Sequence, residues 1–93
     1  MIIMKTHELK TDQEVYQAVV EGLKTYEIRK DDRGFNVGDF LLLKETEYTG
    51  EEMANGKPLE YTGRQHEVQV IYMLRGPVYG LKDGWVIMSI CDC

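Results

Sequence analysis

Cysteine, proline and histidine are scarce in this 93-residue sequence, with two of each. Cys91 and Cys93 stand one residue apart, a spacing over which a disulfide is strained, so reduced thiols are expected. Cys-x-Cys contributes to some metal sites, but there is no second cysteine pair and His7 and His66 are isolated in sequence, so no metal is assigned. A long apolar run is also missing. No stretch approaches the roughly 18 residues of a membrane-spanning helix, and Met1-Ile2-Ile3-Met4-Lys5 is too short an apolar run for a signal peptide. The expectation is a soluble, cytoplasmic protein. A surplus of positive charge is missing too: 11 Lys and Arg oppose 16 Asp and Glu, for a net charge of −5. Affinity built on neutralising many phosphates comes from counterion release, so tight non-specific duplex binding is excluded. Gly-x-Ser-x-Gly, a phosphate loop and His-Glu-x-x-His are all absent, and no cofactor or catalytic residue is assigned.

What is present reads as one domain over residues 1–93. Hydrophobic residues at 43% and charged residues at 29% are ordinary globular composition, and a chain this size buries roughly 65% of its unfolded surface. Ile2 to Lys10 reads as a strand, with His7 and Leu9 on one face. Thr11 with Glu14 forms a capping-box pattern, opening a helix over about residues 12–22 with Val15, Ala18 and Val19 inward and Gly22 as terminator. Thr25 to Lys30 alternates, with Tyr26 and Ile28 on one side and Thr25, Glu27 and Arg29 on a charged other side. Phe40 to Leu43 is a continuous apolar strand. Residues 44–60 are polar and acidic and read as a long, mobile hairpin loop. Glu67 to Leu74 alternates, with Val68, Val70, Tyr72 and Leu74 together, and Trp85 to Ile90 is a last strand. Five or six short strands, glycine-rich turns and one early helix predict a mixed α+β, mainly β fold: a closed or nearly closed small barrel.

Chemistry concentrates in Gly22-Leu23-Lys24-Thr25-Tyr26-Glu27-Ile28-Arg29. Strand geometry sets Thr25, Glu27 and Arg29 about 7 Å apart on one face, with Lys24 able to swing toward Glu27. A carboxylate between two cations can bind a nucleotide phosphate or the polar edge of a base, with Arg29 as bidentate donor. From spacing alone, an exposed ion-pair ladder is the simpler reading.

Gly22, Lys24, Glu27 and Arg29 resemble the Gly-x-Lys-x-x-Glu-x-Arg signature of the ASCH family, a branch of the PUA-like β-barrels. His7-Glu8-Leu9-Lys10, the helix ending at Gly22, Glu27-Ile28-Arg29-Lys30, Val37-Gly38-Asp39 and the closing apolar strand are similar to a small bacterial and phage branch of that family. The resemblance covers most of the chain outside 44–60. It implies a barrel with a cleft beside the first helix, where family members are thought to bind RNA or nucleotide-like ligands. The binding candidates are then Lys24, Glu27 and Arg29, with His7 reaching the cleft from the first strand and Lys10, Thr25 and Lys30 around them. Arg33 extends the basic edge, and Tyr72, Tyr79 and Trp85 are candidate base-stacking residues. Some small members are amidohydrolases on acylated cytidine nucleosides. They carry a threonine three residues after the lysine, where this chain has Glu27, so the expected nucleophile is missing. The implied function is RNA or nucleotide binding. The alternatives are an amidohydrolase with Lys24 as base and Glu67 as its partner, and a phage-type protein-interaction module using the 44–60 loop.

Overall fold

The computed structural model describes residues 3–92. Its elements are β1 (Thr6–Thr11), α1 (Gln13–Val20), β2 (Tyr26–Lys30), β3 (Phe40–Thr46), α2 (Gly50–Ala54), β4 (Tyr61–Arg75) and β5 (Trp85–Cys91). The five strands form one sheet in the order β1-β3-β4-β5-β2, curled into half a barrel. β1 runs parallel to β3, with Leu9 opposite Leu43, and every other pairing is antiparallel. The mainly β, mixed architecture expected from the sequence is present. Among the described residues the sheet does not close on itself, because β1 pairs only with β3 and β2 only with β5. Each of these two strands therefore keeps one free edge.

The core lies on the concave side. Leu9, Leu41, Leu43, Val68, Val86 and Met88 are buried there, and Tyr16 and Val19 of α1 join the same cluster. The helix begins one residue later than the capping pattern predicts. Thr11 stays in the β1–β3 ladder opposite Glu45, and its hydroxyl donates to the Leu9 carbonyl. Asp12 takes the N-cap position without capping α1. Its Oδ1 instead accepts from the Gly50 amide at 3.0 Å, tying α1 to the start of α2.

Residues 44–60 are more structured than the loop expectation allowed. β3 continues through Thr46, and α2 carries a complete capping box in which Thr49 and Glu52 each accept the other's backbone amide. Thr-x-x-Glu is the sequence signature of that device, hidden here in a polar, turn-rich stretch. β4 also departs from simple alternation. Val68 and Val70 face the core as expected, but a register shift between Val70 and Tyr72 reverses the phase. Met73 then packs inward and Tyr72 turns out to solvent, 64% exposed. Cys91 is disulfide-bonded, which corrects the expectation of reduced thiols; Cys93 lies outside the described residues. Among the described residues no helix is long and apolar enough to cross a membrane.

Candidate functional site

The route into the site begins where α1 stops. Gly22 adopts φ +76°, a left-handed conformation that side chains disfavour, while the amides of Leu23 and Lys24 both return to the Ala18 carbonyl. The turn delivers Lys24 just ahead of β2. Antiparallel register with β5 then places Glu27 opposite Met88 and Arg29 opposite Val86. Both partners are core residues, so the charged face of β2 is the inward one. This reverses the exposure expected from the alternation: Glu27 is 3% exposed, whereas Tyr26 and Ile28 are 43% and 46% exposed. The apolar residues turn outward because the half-barrel leaves its concave side open to solvent beside β2, and a charged cluster occupies that opening.

An isolated buried carboxylate is strongly disfavoured unless it is paired and hydrogen-bonded. Glu27 is paired twice. Lys24 Nζ donates to its Oε2 and also to the Tyr26 carbonyl, and Arg29 Nη2 donates to its Oε1 at 3.2 Å. The two cations keep part of their surface in solvent, with side chains 17% and 28% exposed. Lys24 also lies 4.8 Å from the centre of the Tyr26 ring, within cation–π range.

The gap between β1 and β2 is bridged by side chains rather than by a ladder. Carbonyls of alternate residues point to the same edge of a strand, so those of Glu8 and Lys10 both face the gap. Arg29 Nη2 donates to the Lys10 carbonyl at 3.0 Å, and Arg33 Nη1 donates to that of Glu8. Beside these bridges lies a cavity of about 490 Å³. Five basic side chains (Lys10, Lys24, Arg29, Lys30, Arg33) line it against three acidic ones (Asp12, Glu27, Asp32). In a chain whose net charge is −5, this opening is locally positive. Trp85, Tyr26 and Phe35 contribute aromatic lining.

The structure thus brings Lys10, Lys24, Glu27, Arg29 and Lys30 to one cavity, and Arg33 and Trp85 with them. His7 and Thr25 do not line it. His7 is buried on β1, its Nε2 2.8 Å from Asp39 Oδ2 and its ring edge-on to Phe35. It anchors the turn before β3, where Asp39 also accepts the amides of Lys5 and Asn36. Burial pushes the Asp39 carboxyl up, but the His7 hydrogen bond, these two amides and the attraction of the ring together hold it below its usual 3.8. Thr25 is exposed, and its carbonyl accepts from the Ile90 amide. Glu67 is exposed on β4 opposite Leu42, away from the cavity. Tyr72 and Tyr79 are exposed elsewhere, Tyr79 at 93%.

Thr11, Asp12, Tyr26 and Phe35 line the cavity without having been singled out in the sequence. Only Tyr26 carried a signal, as the residue between Lys24 and Glu27. The others come to the opening through the parallel β1–β3 pairing and the turn after β2, which no local pattern announces.

No curated protein matches the chain. Residues 6–90 match the family described as Domain of unknown function (DUF3850). That span runs from the first residue of β1 to the penultimate residue of β5 and holds every residue of the cavity, and the chain belongs to this family.

Proposed function

We propose that this chain binds a nucleotide unit, free or within single-stranded or structured RNA, in the cavity between β1 and β2, as an ASCH-type member of the PUA-like barrels. The observation that carries the reading is the buried Lys24–Glu27–Arg29 cluster, which presents its cations to a locally positive opening in an acidic chain. Glu27 fixes both cations through its two oxygens. Among the described residues, Nη1 and Nε of Arg29 have no hydrogen-bond partner, leaving single donors on two sides of the guanidinium for a phosphate oxygen or a carbonyl-bearing base edge. Lys30 and Arg33 add a diffuse positive field, and Trp85 offers a ring for a base to stack on. With so few cations, affinity is modest and sensitive to salt.

Trp85 is the one tryptophan of the chain and lines the cavity, so its fluorescence reports occupancy. Nucleoside monophosphates and short RNA titrated at two salt concentrations should quench it saturably, with weaker binding at the higher salt. Lys30→Ala, at an exposed position, should weaken binding severalfold with the fold intact, and Arg29→Ala should weaken it at least tenfold. If folded wild-type protein shows no saturable binding to any of these ligands, the reading is overturned.

A further inference from the structure

The convex side of the sheet is not uniform. Register places Tyr72, Ser89 and Tyr26 in one row across β4, β5 and β2, and Leu74, Ile87 and Ile28 in the next. A third pair, Trp85 with Lys30, continues the same face and also lines the cavity. All of these alternate with inward residues: Met88 and Val86 on β5, Glu27 and Arg29 on β2, and Met73 on β4 beyond the bulge. They therefore point out together. Tyr72, Ile28, Tyr26 and Trp85 are 64%, 46%, 43% and 37% exposed, which is heavy exposure for large apolar side chains in neighbouring strands. None of the three rows contains a carboxylate. On the other half of the convex side, Glu8 of β1 and Glu67 of β4 flank Leu42. Negative charge is thus kept off the part of the sheet that adjoins the cavity.

We infer that this face is a second subsite for single-stranded RNA, on which bases flanking the cavity-bound nucleotide stack against Tyr26 and Tyr72. The inference rests on the nucleotide reading of the cavity and extends it to a polymer. Three observations favour a nucleic-acid strand as the occupant. The face is continuous with the cavity through Tyr26, Ile28 and Trp85, which belong to both. Its cations, Lys24 and Lys30, stand at the boundary, where a backbone passing from cavity to face carries its phosphates. Its two tyrosines lie two strand spacings apart, about 10 Å, a distance that an extended strand spans with one intervening nucleotide.

The test is a length series measured on the whole chain: a mononucleotide, then RNA of three, five and seven nucleotides, by Trp85 fluorescence and by anisotropy of end-labelled RNA. Wild type should bind the longer RNAs more tightly than the mononucleotide, with the gain complete within a few nucleotides. Tyr72→Ala, at an exposed position outside the cavity, should weaken the longer RNAs roughly 5- to 150-fold and leave the mononucleotide unchanged. If the mononucleotide binds but length adds nothing, or if Tyr72→Ala leaves RNA affinity untouched, the subsite is overturned while the cavity reading stands. In that case the apolar face is left to a protein partner or to a second copy of the chain, the latter visible as self-association in sedimentation that Tyr72→Ala abolishes. If neither ligand binds, both readings fail together.

Discussion

Glu27 illustrates how one residue sets the terms for its neighbours. At 3% exposure it is tolerable only as long as Lys24 and Arg29 hold it, and removing one partner of a buried pair costs more than the pair contributes. Lys24→Met should destabilise the fold by about 3 kcal/mol, lowering the melting temperature by roughly 10–20 °C in a domain this small, as scanning calorimetry would show. Lys24→Arg should recover most of the loss. Asp39 makes a different prediction. Its carboxyl is held below its ordinary value of 3.8, so between the folded and unfolded values the unfolded chain binds more protons and stability rises with pH. That contribution is fully present above about pH 4 and is lost as pH falls through the lower, folded value. Urea unfolding from pH 5 downward should show this decline, and Asp39→Asn should flatten it while lowering stability throughout.

At the scale of elements, stability is unevenly distributed. α2 buries none of its residues, so its capping box holds it in place with little help from packing. Thr49→Ala should speed hydrogen exchange of the amides of residues 50–54 while shifting global melting by only a few degrees, since a lost cap is worth about 1 kcal/mol. Gly76 is the opposite case. A Cβ there would sit 2.0 Å from the Lys82 carbonyl oxygen, and backbone cannot step aside as a flexible side chain can. Gly76→Ala should cost several kcal/mol and disturb the turn between β4 and β5, detectable as a large drop in urea midpoint. These elements also show which parts of the fold are legible in sequence. β1, β3 and β5 carry unbroken alternation or apolar runs, and Gly22 marks its helix end plainly. The bulge at Ile71 is silent, because one extra residue inverts the phase of a strand whose residue types stay the same. The Lys24, Glu27 and Arg29 cluster is legible as a motif, but its inward orientation is not. Which face of β2 is buried depends on its pairing with β5, at the other end of the chain.

At the scale of the whole molecule, the decisive fact is that among the described residues the β1 and β2 edges form no ladder with each other and are bridged by Arg29 and Arg33. A closed ladder would seal the gap between β1 and β2 with backbone hydrogen bonds. The open arrangement instead leaves a polar gap lined by charged side chains. Contacts within β3, β4 and β5 join successive strands, whereas β2 finds its partner far along the chain, Tyr26 against Ser89. Non-local pairings carry the larger loop-closure cost and tend to form late. Val68→Ala, in the β3–β4–β5 meander, should therefore slow refolding, whereas Lys24→Met should chiefly speed unfolding; stopped-flow chevrons separate the two.

The same pairing has a consequence during synthesis. The ribosome makes α1 and β2 before β5 exists, so until residue 88 has been added Glu27 and its cations lack Met88 and Val86 to lie against. A nascent chain lacking residues 85–91 carries the whole motif in its sequence and yet lacks both the β5 register that turns Glu27 inward and the Trp85 wall of the cavity. On the proposed reading of the cavity, recognition waits for β5, and a chain stopped before residue 85 does not compete for the nucleotide.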